Sequence, residues 1–377
     1  MTADWRATTN APGFLAAVAG PVREISWRIP VLDTAGNETV EVPAESLDVD
    51  FDGKGSERWE LSLTLSDPAW VPKRWSDPLD GRSGLRVRPY WQLCDPETHV
   101  VLYEVPLCTV WLEDPDIRDD GTSVQVTVKG FDAVARARRG GYGARSVDIS
   151  GMTVSAALAV TLEALGVRDY RIAASTATVP NPYVLGQLPD PWEDVAELAS
   201  MAGCDVFADR MGVIVVEPRP DPQEVKLDWQ EGPSCPVVSL VRAPRTSSIR
   251  NRVVVSSSSP DVSPFSVVVE DTDPSSPTWV GGPFGVRETR IESDKVADEA
   301  GAYGMARASY ARWIRGTDDL TVEAVQRPDL EFRDLVAAKS TRAGVTGLWR
   351  VRGWRLHGSR IGAPQTMTVR MQTRSLT

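Results

Sequence analysis

The sequence predicts a mainly β protein in which a small α+β insertion separates two β-rich regions. Three observations carry this. Long tracts before residue 139 and after 235 alternate apolar and polar residues with period two, as half-buried strands do. Residues 140–234 switch to helical spacing. At 377 residues the chain is too long for one ordinary core and calls for two or three domains.

Residues 1–20 read as an irregular arm. Strands follow at Ile25, Trp27 and Ile29, at Val40 and Val42, at Leu47, Val49 and Phe51, and at Trp59, Leu61, Leu63 and Leu65. The loop 67–84 holds Trp70, Trp75 and several prolines, so it has apolar residues of its own to bury. Strands resume at Leu85–Leu93, Val100–Val105, Leu107–Leu112 and Thr122–Lys129, and a short helix over Phe131–Arg138 closes the region. About seven strands in this span predict a barrel or a sandwich.

Met152–Gly166 then reads as a helix with Val154, Leu158, Leu162 and Leu165 on one face. Residues 173–189 are extended and rich in proline. The most informative stretch is 190–218. Asp190 is placed to accept the first free helical N–H groups, Pro191 suits the first helical position, and Glu193 falls where a capping box needs it. Trp192, Val195, Ala196, Ala199 and Ala202 recur at helical spacing, and Gly203 ends the helix. Cys204–Ala208, the turn Asp209-Arg-Met-Gly212 and Val213–Glu217 form a hairpin. Pro218, Pro220 and Pro222 make a stiff link.

In the last region, Val237–Arg242, Ile249–Ser256, Phe265–Glu270, Leu320–Val325, Trp349–Trp354 and Met367–Thr373 read as strands, and Asp271–Pro283 as a loop. A helix over 294–314, capped by Asp294, places Val296, Ala300, Tyr303, Arg307, Tyr310 and Ile314 on one side.

The chemistry is sparse. The two histidines, His99 and His357, have no locally signalled partner, and two are too few for a multi-His metal site. Arg138-Arg-Gly-Gly-Tyr-Gly143 lacks the Lys-Ser/Thr pair and strand–loop–helix context of a phosphate loop and reads as a hinge. No catalytic, cofactor or metal residue is assigned. The four cysteines show no zinc, redox or disulfide spacing and read as reduced core thiols. A net charge of −11 argues against a dedicated nucleic-acid binder. The apolar run Phe14–Ala19 is too short for a signal peptide or a membrane span.

The stretch 190–218 resembles the insertion between the two barrels of phage tail hub proteins. These are the baseplate hubs of contractile tails and the tip hubs, or minor tail proteins, of long flexible tails. Hub proteins of contractile injection systems carry similar units. The order of β-region, α+β insertion and β-region, over residues 20–377, is the second leg of the resemblance. Gln326-Arg-Pro-Asp-Leu-Glu-Phe-Arg-Asp-Leu-Val336 with Gly347-Leu-Trp-Arg-Val351 is the third, since it looks like a hairpin of hub second barrels. There the proline starts a strand and the acidic residue marks the next turn. Arg333 stands where many relatives have glycine, and Asn251 occupies the place of an asparagine frequent in these barrels.

The resemblance implies two tail-tube-like β-barrels, over 21–139 and 235–377, flanking an α+β domain over 140–234. It implies a trimer forming a pseudo-hexameric ring that joins a sixfold tail tube to a threefold tip and lets DNA pass at genome ejection. The implied partners are a tail-tube or distal tail ring, a tape measure protein and other tip or fibre proteins. The implied location is the virion tail tip, after assembly in the host cytoplasm. An acidic surface suits the lining of such a conduit, and ordinary solubility charge is the alternative reading of the same balance. Trp70 and Trp75 in loop 67–84, and Trp279 and Phe284 in loop 271–290, are the candidate subunit contacts. Their alternative use is to cover the ends of their own cores. The competing functions are a cell-wall carbohydrate hydrolase or glycan-binding tail-tip protein, for which the thirteen tryptophans offer platforms, and a host cytoplasmic binding module.

Overall fold

Strand outweighs helix, 43% against 17%, in the computed structural model. The structure describes residues 9, 12–20, 23–143, 147–186, 189–218, 224–232, 235–258, 263–293, 298–314, 318–359 and 366–373. The chain divides into two compact units. The first comprises Met1–Ser239, Val322–Val336 and Val351–Arg370, and the second Leu240–Thr321, Ala337–Arg350 and Met371–Thr377.

In the first unit an extended sheet runs from the Val351–Ser359 part of strand Val345–Ser359 through Ser46–Asp52, Trp59–Leu65, Val124–Phe131, Val110–Leu112, Arg86–Val87, Pro30–Leu32 and Glu38–Glu41. The pairing of Gly353–Ser359 with Ser46–Asp52 is antiparallel and sets Trp354 opposite Phe51. A C-terminal strand thus completes the sheet begun near the N-terminus, and the units do not follow the linear order of the chain. Alternation is clean where one face is buried: Leu47, Val49 and Phe51, then Trp59, Leu61, Leu63 and Leu65, all point into the core. Phe51 stacks on Trp59 at 4.3 Å, and Trp354 meets Trp59 edge-on at 5.7 Å. Gly353 is required by the close ladder, because a Cβ there would overlap the carbonyl oxygen of Phe51.

The expected strand Leu85–Leu93 is two strands, Arg86–Val87 and Tyr90–Cys94, broken where Pro89 removes a ladder donor. Tyr90–Cys94 pairs with Glu24–Arg28 and Val101–Pro106 in a separate three-stranded sheet. The N-terminal stretch is not wholly irregular: Pro12–Ala19 is a helix, with Phe14 and Val18 buried. Phe14 meets the rings of Tyr103 and Trp91 at 5.4 and 6.3 Å, which gives the apolar run a core to cover.

The α+β portion has its own core. Helices Val154–Ala164 and Pro191–Met201 pack on a sheet of Tyr170–Ile172, Ile214–Pro218 and Cys204–Ala208. Asp190 caps the second helix by accepting the Trp192 N–H at 3.0 Å, as its sequence requires. Tyr170–Ile172, not expected as a strand, lies parallel to Ile214–Pro218. Val225–Trp229 is also a strand, while Pro220 and Pro222 lie outside the described residues.

In the second unit Arg252–Ser257 pairs antiparallel with Ser266–Glu270 and parallel with Glu288–Ser293. Helix Glu299–Trp313 covers this sheet, and its cap is Asp298, which accepts the Gly301 N–H at 2.7 Å. The proposed cap Asp294 and Val296 lie outside the described residues. The buried face also differs from expectation. Ala302 and Ala306 are fully buried against Val253 and Val255, while Ala300, Tyr303 and Arg307 face outward. Met305, Tyr310 and Trp313 pack half-buried against the same cluster, so Tyr310 lies on the expected side while Tyr303 and Arg307 turn to solvent.

Candidate assembly surface

Arg210 lies at the tip of the hairpin in the α+β portion, in the turn Asp209-Arg-Met-Gly212 that Gly212 closes with φ +80°. It is 2% exposed. Its guanidinium donates to the carbonyl oxygens of Pro106 at 3.2 Å, Leu330 at 2.8 Å and Pro328, and to Glu331 Oε1 at 2.6 Å. The rings of Trp59 and Trp354 lie 5.4 and 5.7 Å from it. One side chain therefore ties the α+β hairpin to the first β-region and to residues 328–331. A planar group with five donors suits that task.

Arg58 reaches the same two segments through ring contacts. Its guanidinium lies 3.8 Å from the Phe207 ring and 5.0 Å from the Phe332 ring. Burial pulls it down to about 10, so it stays charged at neutral pH. Asp132 accepts backbone N–H bonds from Arg58, Trp59, Val134 and Ala135, yet burial pushes its carboxyl up to about 6. Burial also acts to raise Asp329, but the Arg327 guanidinium, gripping it at 2.8 Å, holds it below its usual value.

The segment 326–334 departs from the expected hairpin. Pro328 starts no strand; it offers its carbonyl to Arg210, and the strand Leu335–Ser340 begins only after Asp334. Asp334 does mark the turn, accepting the Glu331 N–H at 2.8 Å. Arg333 adopts φ +71°, the left-handed conformation that glycine takes without strain.

The four candidate contact residues sit on two loops, each pinned from within. Trp70 is half-buried in the short 3-10 helix Pro68–Trp70, which Asp67 caps. Trp75 is 67% exposed, on a turn that Asp77 holds by accepting the N–H groups of Lys73 and Arg74 at 2.7 and 2.9 Å. Trp279 is half-buried against Gly281, and half-buried Phe284 lies 4.3 Å beneath the Arg287 guanidinium. Fully buried Asn251 clamps their loop by donating to the carbonyls of Thr278 and Gly285 at 2.7 and 2.8 Å and accepting from Arg287 N–H at 2.7 Å. Asp271 adds bonds from Ser276 at 2.5 Å and Thr278 at 2.6 Å.

Apolar side chains also stand exposed on terminal strands. Val238 and Val241 are over 60% exposed on Val237–Pro244, the last strand of its sheet, and Val101 and Leu102 are exposed on Val101–Pro106. The opposite terminal strand, Glu38–Glu41, carries charge, which discourages pairing.

His99 lies 2.7 Å from Glu24 and His357 2.9 Å from Asp48, each at the surface with one carboxylate. All four cysteines are free thiols, and burial raises that of Cys108. Among the described residues no group of three or more His, Cys, Asp or Glu side chains is placed to hold a metal, and no helix is long and apolar enough to cross a membrane.

No protein-family model and no curated protein matches this sequence. Solved structures do match the fold. A tail protein from Neisseria meningitidis MC58 is similar over 93% of this chain and 98% of its own, with a TM-score of 0.64 and 14% identity. The 43 kDa tail protein of prophage MuSo2 from Shewanella oneidensis is similar over 92% and 98%, with a TM-score of 0.62 and 13% identity. A chain of the Francisella PdpA–VgrG complex matches 95% of this chain and 53% of its own, with a TM-score of 0.59 and 11% identity. The fold is that of phage tail proteins.

Proposed function

We propose that the chain is a structural hub of a phage-type tail tip. Three copies close a ring, with two tail-tube-like barrels per chain over 21–139 and 235–377 giving pseudo-sixfold symmetry for a tail tube to dock on. The observation that carries this reading is near end-to-end similarity to two phage tail proteins at TM-scores above 0.6. The surface supports it: two internally pinned loops bear aromatic residues, and the terminal strands Val237–Pro244 and Val101–Pro106 expose apolar side chains. Rigid aromatic anchors and free strand edges are what an assembling β-protein needs. Nothing in this role needs bond-making, so the chain is not an enzyme on this reading. Its partners are a tube ring, a tape measure protein and other tip proteins, its place is the virion tail tip, and DNA passes through without sequence-specific contacts.

Light scattering across a concentration series tests the assembly. The chain mass is 41.1 kDa, and the reading requires a species of three times that mass. A dimer, or a monomer at every concentration, contradicts it.

A further inference from the structure

A bowl of about 230 Å³ opens beside Trp111, walled by the end of loop 67–84 on one side and by helix Ala133–Arg138 on the other. Three arginines, Arg82, Arg136 and Arg139, line it, and Arg136 is the one without a carboxylate partner among the described residues. The two carboxylates that also line it are engaged. Asp132 is turned inward onto four backbone N–H groups, and Glu113 pairs with Arg139. Asp80 accepts from Arg82 Nε at 2.9 Å and from its terminal nitrogen at 2.7 Å, which orients that guanidinium and leaves further donors outward. The Arg136 guanidinium sits 5.5 Å from the Trp111 ring centroid.

Arg82 and Arg139, held in place by carboxylates, lose little freedom when their outward donors meet a further anion, while Arg136 beside the Trp111 indole supplies the unpaired charge. The volume is below the usual range of roughly 300–1,000 Å³ for small-molecule sites. It accommodates a side chain or two.

We infer that this bowl is an anchor site for an acidic side chain, glutamate or aspartate, presented by a segment of a neighbouring tail protein. Arg136 is its principal cation and Trp111 its wall. The site rests on the assembly reading above and extends it, because its other wall is the loop that displays Trp75.

Calorimetric titration of the full chain at low salt, with tetraglutamate blocked at both ends, tests the site on its own. Trimer formation is measured separately by mass, so failure of one is distinct from failure of the other. Saturable binding is expected. Loss of charge-assisted hydrogen bonds in Arg136→Ala weakens it about tenfold or more. Trp111→Phe weakens it less, and Arg355→Ala, on a distant exposed strand position, leaves it unchanged. Four results overturn the proposal: no saturable binding, equal binding by Arg136→Ala, equal binding of blocked tetraglutamine, or binding only when the peptide carries a free C-terminal carboxylate.

Discussion

Arg333 shows how a single residue departs from a motif while the backbone keeps it. The turn before Asp334 has the positive φ that glycine provides, and here an arginine occupies it. A left-handed non-glycine residue costs on the order of 1 kcal/mol or more. Arg333→Gly is expected to raise stability by about 1 kcal/mol in denaturant unfolding, whereas Arg333→Ala gains nothing. A destabilised glycine variant would show that the arginine side chain outweighs the strain. Arg210 illustrates the opposite case. In sequence it is one residue of a polar turn, and such turns are ordinarily solvated. Its acceptors at Pro106, Pro328 and Leu330 lie more than a hundred residues away, so its burial was not legible locally. Arg210→Met removes the Arg210 donor from Pro106, Pro328 and Glu331, leaves the Leu330 carbonyl only its bond from Trp354 Nε1, and is expected to cost about 3–5 kcal/mol. Arg355, 65% exposed and paired with Asp50, is the contrast; Arg355→Ala should cost less than about 1 kcal/mol. Equal losses at the two sites would refute the keystone role of Arg210.

Elements were legible where local chemistry decides them. The helix Pro191–Met201 followed from its cap, its proline and its apolar stripe, and the hairpin after it from a glycine turn. Those that depend on partners far along the chain were not. Tyr170–Ile172 and Glu288–Ser293 are strands because parallel neighbours pair with them. Helix Glu299–Trp313 is rich in alanine and glycine, so the expected face included Tyr310, which does pack inward, but also Ala300, Tyr303 and Arg307, which do not. The loop 271–287 is a different kind of element, ordered by one buried asparagine. Asn251→Ala removes three hydrogen bonds that hold it. Amide exchange at Trp279–Arg287 should rise by about tenfold or more, with little change in Arg252–Ser257. Unchanged protection in the loop would mean that Asp271 and the aromatic packing suffice. Of the four contact residues, only Trp75 is largely exposed; a sequence shows that an aromatic lies in a loop, but not whether the loop folds over it.

For the whole molecule, period-two patterning on either side of a helical insertion made the mainly β class readable before any contact was known. The way the chain returns to complete its first sheet was not readable. That depends on the register of Gly353–Ser359 against Ser46–Asp52, some three hundred residues apart. Exposed apolar edges and aromatic loops pinned from within are the features that favour the assembly reading. Negative-stain imaging of the purified protein tests that account most directly. It predicts closed rings of threefold symmetry, pseudo-sixfold at the face made by the barrels, with a central hole wide enough for duplex DNA. Isolated particles without a ring, at every concentration examined, would contradict it and return the chain to the glycan-binding and hydrolase readings.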